Sequence, residues 1–146
     1  MADGASPTSA STHLYECERM PRLKLLHRFL DSLEMSCDDR ICVGIVKRQD
    51  FLDTGGAYED TEGFVDYARS IDGVEVGILI EERKTTTKGS LRSNDALYRM
   101  DQVAAKFGGG GHACAAGLSS PLKASDLKSG LVEAITDRLT SGMKES

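Results

Sequence analysis

Residues 74–93 have the sequence VEVGILIEERKTTTKGSLRS, and this stretch decides the fold class. Branched apolar residues occupy every second position of its first half: Val74, Val76, Ile78 and Ile80. A period of two predicts a β-strand with one deeply buried face. Residues 83–88 contain three consecutive threonines and no large apolar side chain, so they are typical of a solvated turn. The following GSLRS segment predicts the returning strand of a β-hairpin.

Another strand and several helices are indicated on either side of this hairpin. ICVGIV, residues 41–46, is apolar and rich in β-branched residues, which predicts a second buried strand. Asp60 or Thr61 is the expected N-cap of one helix and Ser125 that of the last. Apolar residues at helical spacing predict helices within residues 21–35, 64–71, 100–107 and 127–139. The sequence therefore predicts an α/β fold, a single domain with a mixed central β-sheet flanked by helices.

Length and composition limit the class of protein. The 146 residues suffice for one compact core, and no apolar run approaches the roughly 20 residues of a membrane span. MADGASPTSAST, the first twelve residues, has no basic or strongly apolar part, which argues against a secretory signal. We expect a disordered leader at 1–12, a domain at 13–142 and a tail at 143–146. Four cysteines without a CxxC pair predict free thiols in the reducing cytoplasm.

Charge is distributed unevenly along a chain whose net charge is -5. Residues 49–82 hold ten carboxylates and one arginine, whereas residues 83–112 hold six basic and two acidic residues. The acidic stretch is interpreted as a solvated face, with a cleft lined by Asp60, Glu62 and Asp66 as the alternative. One short basic stretch suits a small anionic ligand better than duplex DNA, which needs a long basic surface.

The stretch FGGGGHACAAG, residues 107–117, is the most informative for function. Glycine lets the backbone approach a ligand closely, so successive N–H groups can converge on a phosphate. The glycines alone are equally consistent with a helix C-cap followed by a loop. His112 directly after them favours binding, because an imidazole can donate a hydrogen bond to a phosphate or a base edge. The predicted phosphate-binding loop consists of Gly108, Gly109, Gly110, Gly111 and His112.

Arg92 lies in the only net-positive stretch and points away from Leu91 in the predicted strand. Arginine can bind phosphate in a bidentate manner. A solvated surface arginine is the alternative. The sequence contains no HExxH, CxxC, DHH, Walker or GxSxG motif. We therefore predict no catalytic residue and no metal ligand in this chain.

The segments GSLRSN and VAAKFGGGGHACAAG, with DTEGFVDYARSIDGVEVGILIEE upstream, resemble the C-terminal, DHH-associated domain of DHH-family phosphoesterases. The similarity is closest to the nanoRNase/pAp-phosphatase branch, often labelled exopolyphosphatase-related, and it covers roughly residues 13–142. The resemblance implies that Arg92 and Ser93 contact phosphate and that Gly108 to Gly111 with His112 hold the nucleotide. It also implies two manganese ions in an N-terminal DHH domain, whose motifs this sequence lacks.

The implied function is substrate recognition for a cytoplasmic phosphoesterase acting on short single-stranded RNA, pAp-like nucleotides or cyclic-dinucleotide products. The implied partners are such a nucleotide and the DHH domain, with no membrane; homodimer formation is left open. The alternative is a non-catalytic RNA- or nucleotide-binding module like those appended to alanyl-tRNA synthetase. A self-sufficient hydrolase using His112 as general base would lack a nucleophile or metal partner.

Overall fold

A computed structural model describes residues 18–145, so the predicted leader at 1–12 lies outside the described residues. Six strands form one sheet in the order β1-β2-β3-β4-β6-β5. The β2–β3 pair is parallel and the other neighbours are antiparallel, which confirms the predicted mixed sheet. The strands are β1 (Glu34–Ser36), β2 (Ile41–Val46), β3 (Val76–Glu82), β4 (Thr87–Ser93), β5 (Gly110–Gly111) and β6 (Ala115–Ser120).

Within residues 18–145, five α-helices and two short 3-10 helices surround this sheet. The α-helices are α1 (Met20–Asp31), α2 (Arg48–Thr54), α3 (Phe64–Arg69), α4 (Met100–Ala105) and α5 (Ala124–Glu145). The 3-10 helices are Tyr58–Thr61 and Ala96–Tyr98. Within residues 18–145, none of the helices combines the length and apolar character needed to cross a membrane.

The helices pack in two layers, one on each face of the sheet. One core joins the sheet to α4 and α5, with Ile78 and Leu131 fully buried in it. The other joins the opposite face to α1, α2 and α3 around Phe29 and Phe64, whose ring centroids are 5.5 Å apart. Strand β3 is buried on both faces because it has a helical layer on each side. The predicted α/β domain is confirmed, but the prediction of a single buried face for this strand was wrong.

Several predicted boundaries also need correction. Gly63, with φ +87°, is the N-cap of α3, because Asp60 and Thr61 lie in the preceding 3-10 helix. Helix α5 begins at Ala124, so Ser125 lies inside its first turn and is not its cap. That helix continues to Glu145, so most of the predicted tail at 143–146 is its last turn. The first predicted helix ends at Asp31 and is followed by β1.

Candidate functional site

Strand β4 presents two chemically different faces. Thr87, Gly89, Leu91 and Ser93 are buried, whereas Lys88, Ser90 and Arg92 are half-buried on the other face. Side chains of a strand alternate between its faces, so the three polar residues form one stripe. Helix α3 covers this face at β3, and the neighbouring strand β6 contributes only small residues there. The stripe is thus accessible from the side on which α1, α2 and α3 pack.

The sheet register places Arg92 and His112 in one transverse row. Arg92 pairs with Gly77 on one side and Ala115 on the other. Ala115 in turn exchanges backbone hydrogen bonds with His112, at 2.7 and 3.2 Å. Ala115 is thus the backbone partner of both Arg92 and His112 and lies between them across the sheet. The backbone register therefore connects Arg92 and His112 through one residue, and their joint contact with a ligand stays a prediction.

Arg92 keeps its charge available for a ligand. Its Nη1 atom donates to the carbonyl of Leu91 at 2.9 Å, and it forms no ion pair with any residue in the described range. That single hydrogen bond leaves most of the five guanidinium N–H donors uncommitted. His112 is exposed beside it.

Ser93 is placed differently from Arg92. It is 5% exposed, on the opposite face of β4. Its hydroxyl donates to the carbonyl of Asp95 at 2.8 Å and accepts from the Asp95 N–H at 3.0 Å. This arrangement holds the turn after β4. The predicted contact of Ser93 with substrate stays a prediction, and the geometry gives its hydroxyl a local partner.

The four glycines of the loop have distinct structural environments. Helix α4 ends at Ala105, before the predicted residue 107, and Gly108 closes the turn that follows with φ +86°, a conformation that favours glycine. A Cβ on Gly109 would lie 2.2 Å from the carbonyl oxygen of Gly117, and one on Gly111 would lie 2.6 Å from the Cα of Ala116. Both residues must therefore be glycine for β6 to approach. Gly110 differs, because a Cβ there would meet nothing within 4 Å.

A cavity of about 500 Å³ adjoins the polar stripe of β4. We call it the β4 cavity; it is lined by residues 58–59, 61–63, Val65, Leu79, Glu81, Arg83, Lys88, Ser90 and Arg92. Its lining does not include His112 or the glycine loop, which lie at the end of the stripe. Three basic and three acidic residues line it, so its formal charge is balanced.

One wall of the β4 cavity is fixed by Glu81, which is 1% exposed. Its Oε1 atom accepts from the Thr61 hydroxyl at 2.9 Å and from Arg83 Nη2 at 3.0 Å. The Arg83 guanidinium lies 4.5 Å from the centre of the Tyr58 ring. Lys88 is the cross-strand neighbour of Glu81. Because Arg83 already neutralises the Glu81 carboxylate, Glu81 does not need Lys88 as an ion-pair partner.

A second polar cluster, formed by Arg40, Glu75 and Tyr98, lies at the start of β3, near the end of β4 that carries Arg92. Arg40 and Tyr98 both donate to the carboxylate of Glu75, the tyrosine at 2.7 Å. The hydrogen bond from Arg40 lowers the pKa of Glu75. The hydrogen bond to Glu75 in turn raises the pKa of the Tyr98 hydroxyl. The backbone N–H of Asn94 donates to the Glu75 carbonyl at 2.9 Å, so this cluster fixes the end of β4 that carries Arg92.

Sequence reasoning missed Lys88, Ser90 and Arg83 as residues of the site. The period of two that orients Arg92 away from Leu91 also places Lys88 and Ser90 on the Arg92 face. That signal was present in the sequence. The contact of Arg83 with Tyr58 joins residues 25 positions apart and has no sequence signal.

The acidic stretch does not assemble a metal site in the described part of the chain. Asp60 is paired with Arg19 at 2.5 Å and accepts the Ala57 N–H at 2.8 Å, so it is a structural residue. No group of three or more His, Cys, Asp or Glu side chains within residues 18–145 could hold a metal ion. The manganese pair that the resemblance implies belongs to the DHH domain, and it stays a prediction.

Comparisons with known proteins identify the family of this chain. The DHHA1 domain family matches residues 39–141. The bifunctional oligoribonuclease and PAP phosphatase NrnA of Thermus thermophilus is 33% identical over 100 residues, which are 66% of this chain and 30% of that protein. This chain thus spans less than a third of that relative.

Solved structures share the fold. An exopolyphosphatase-related protein from Bacteroides fragilis superposes with a TM-score of 0.81 at 23% identity, over 92% of this chain and 39% of that one. The pGpG-specific phosphodiesterase PggH from Vibrio cholerae gives a TM-score of 0.60 at 11% identity, over 92% of this chain and 44% of that one. The family match extends from the turn before β2 into α5 and includes the glycine–histidine loop. The chain belongs to the DHHA1 domain family.

Proposed function

We propose that this chain is the substrate-recognition domain of a DHH phosphoesterase that hydrolyses short oligoribonucleotides, pAp-like nucleotides or cyclic-dinucleotide products. The observation that carries the proposal is the row Arg92–Ala115–His112 beside a glycine loop, on the polar face of β4. Membership of the DHHA1 family and the similarity to NrnA support it.

Arg92 is the proposed phosphate anchor. A guanidinium presents paired N–H donors that match two oxygens of one phosphate, and here it has no competing carboxylate among the described residues. In this proposal the phosphate lies between Arg92 and His112, next to the small side chain of Ala115. The imidazole of His112 then donates to the same phosphate or to the attached nucleotide.

Gly110 is the proposed point of backbone contact in the loop. Gly109 and Gly111 are required for packing against β6, whereas the space around Gly110 is open. A ligand can approach the main chain at Gly110 without meeting a side chain. The other three glycines shape the loop, and Gly110 is the position where a substrate would touch it.

The charge balance of the β4 cavity favours a short substrate. Lys88 and Ser90 continue the stripe from Arg92 and offer donors for a second phosphate or a ribose hydroxyl. Glu59 and Glu62 line the same cavity, and carboxylates raise the free energy of a bound polyanion. A ligand with one or two phosphates fits these contacts better than a long strand does.

The proposed partner is a DHH domain in the cytoplasm, whose two manganese ions would supply the metal-activated nucleophile for phosphoester hydrolysis. This chain would hold the phosphate and orient the nucleotide against that centre. Positioning of this kind contributes to catalysis because it converts a bimolecular encounter into a reaction within one complex.

The test is a titration of the 15N-labelled chain with a 5′-phosphorylated RNA dinucleotide, followed by NMR. We expect the amide signals of Ser90, Gly110 and His112 to shift. Arg92→Ala should weaken binding about 10- to 150-fold, the range for a lost hydrogen bond to a charged group. Arg92→Lys should recover part of the affinity, since ammonium is a point charge without the planar pair of donors.

Arg138→Ala is the matched control, because Arg138 is also half-buried but lies on α5, outside the β4 cavity. In a protein that includes the DHH domain, His112→Ala should lower kcat more than tenfold at an unchanged melting temperature. Equal affinity of the Arg92→Ala and Arg138→Ala variants for the dinucleotide would refute the proposed role of Arg92.

A further inference from the structure

A second cavity, of about 710 Å³, lies at the end of β4 opposite to Arg92. It forms where β2, β3 and β6 end and β4 begins. We call it the basic cavity; it is lined by Ile45, residues 47–48, 82–87, 121–125 and 128–129. Its volume falls within the range of pockets that hold small organic ligands.

The basic cavity concentrates positive charge in a chain whose net charge is -5. Six of the 18 lysines and arginines line it, together with one carboxylate, Glu82. The six come from separate segments of the chain: Lys47, Arg48, Arg83, Lys84, Lys123 and Lys128. The β4 cavity, in contrast, is balanced in charge. The fold therefore creates a positive site that the linear charge pattern does not contain.

Most of these cations have no anionic partner. Lys128 pairs with Glu34 and Arg83 pairs with Glu81. Within residues 18–145, the other four form no ion pair. Glu82 already accepts the backbone N–H of Arg48 at 3.1 Å. Several positive charges around a concave surface produce a strong positive potential there, and a bound anion offsets the repulsion between them.

The frame of the basic cavity is held by hydrogen bonds. The Thr87 hydroxyl donates to the carbonyl of Leu122 at 2.7 Å, and the Leu122 N–H donates to the Ser120 hydroxyl at 3.1 Å. The N–H of Arg83 donates to the Thr86 carbonyl at 2.9 Å across the hairpin. These bonds tie the β3–β4 hairpin to the segment that enters α5. The cavity thus combines a wall held by hydrogen bonds with the exposed side chains of Lys47, Lys84 and Lys123.

We propose that the basic cavity is a second anion site, which binds a ligand with two or more closely spaced phosphate groups. This goes beyond the proposed function, which depends on Arg92 at the other end of β4. Two sources supply such phosphates: a free polyphosphorylated small molecule, or the backbone of an RNA strand that extends from the β4 cavity. Arg83 lines both cavities, so a strand passing it would connect them.

The test uses inorganic tripolyphosphate as the first probe, titrated into the 15N-labelled 146-residue chain at low and physiological salt. We expect the amide signals of Lys47, Arg48, Lys123 and Ser125 to shift. Lys84→Gln combined with Lys123→Gln should weaken binding more than about tenfold, because two charge-assisted contacts are lost. Lys24→Gln combined with Lys106→Gln removes the same charge from exposed sites outside the basic cavity and should change the affinity less than twofold.

The second arm compares 5′-phosphorylated RNA of two and six nucleotides. Shifts in the basic cavity with the longer RNA alone would identify a strand that extends from the β4 cavity. Shifts with tripolyphosphate but with neither RNA would identify a free small ligand. Either of these two results would support anion binding in the basic cavity. Two results would overturn it: no shift of these amides with any probe, or an equal loss of affinity in both double variants.

Discussion

Replacing Gly109 by alanine tests whether the loop is shaped by packing or by its ligand. The added Cβ would lie 2.2 Å from the carbonyl oxygen of Gly117 and 2.6 Å from Leu118 Cβ. The first contact is 1.2 Å shorter than the 3.4 Å at which ordinary van der Waals contact begins. A carbonyl in the β-ladder cannot rotate away, so β6 has to move. Overpacking of this kind costs about 1 to 3 kcal/mol, and we expect a value near 3.

A loss near 3 kcal/mol would lower the melting temperature by about 6 to 12 °C for a chain of this size. Gly110→Ala is the matched control, since its Cβ meets nothing within 4 Å and its φ is not positive. The melting temperature of this variant should stay within about 2 °C of the wild type or rise slightly. Its affinity for the 5′-phosphorylated dinucleotide should nevertheless fall about tenfold, if the exposed main chain contacts the phosphate. Calorimetry that shows equal destabilisation of both variants would refute this separation of roles.

Two further predictions concern the polar cluster and the cysteines. Glu75→Gln should cost about 1 to 3 kcal/mol at pH 7, because Arg40 loses a charged acceptor. Since the Arg40 hydrogen bond lowers the pKa of Glu75 below its ordinary 4.5, this stabilisation is present above pH 4.5 and is lost as the pH falls through the lowered value. Urea unfolding between pH 7 and 3 should show that the difference in unfolding free energy between wild type and Glu75→Gln shrinks as the pH falls. The control variant Glu133→Gln, at an exposed position, should match the wild type throughout. A difference for Glu75→Gln that does not change with pH would contradict this prediction. Burial raises the pKa of the Cys42 thiol, so Cys42 should react with a thiol reagent only after unfolding, whereas Cys37 and Cys114 are half-buried and should react earlier. Rapid modification of Cys42 in the folded chain, seen by peptide mass spectrometry, would be inconsistent with its burial.

The elements with a strong apolar period could be predicted from the sequence. The strands β2 and β3 and the helices α1 and α5 carry branched or long apolar side chains at regular spacing, whereas β4 was predicted as the returning strand of a hairpin. Strands β5 and β6 consist of Gly, Ala, Ser and one leucine, residues with little preference for strands, and they were not predicted. β6 pairs with β4 and β5 pairs with β6, and the glycines at 109 and 111 allow the backbones to approach closely there. Strand β1 has three residues and immediately precedes the turn at 37–39, where three residues adopt positive φ.

The candidate site was predictable in its residue types but not in its geometry. Arg92 and His112 were selected separately, by local charge and by the glycine loop. Their common row depends on β6 lying between them, and β6 was the strand that the pattern did not show. Ser93 was assigned to the site together with Arg92 by the family resemblance, yet consecutive strand residues face opposite sides of the sheet. The alternation that argued for Arg92 therefore places Ser93 in the other layer.

The linear charge pattern gave an incomplete description of where anions can bind. The net-positive stretch at 83–112 is divided by the fold: Arg83 and Lys84 line the basic cavity, and Lys88 and Arg92 line the β4 cavity. Lys47, Arg48 and Lys123 come from other parts of the chain and join the first group. Because the β4 cavity is balanced in charge, we expect the affinity proposed there to depend on the directed donors of Arg92. Binding in the basic cavity would depend on summed charge, so salt should weaken it more steeply than it weakens binding at Arg92.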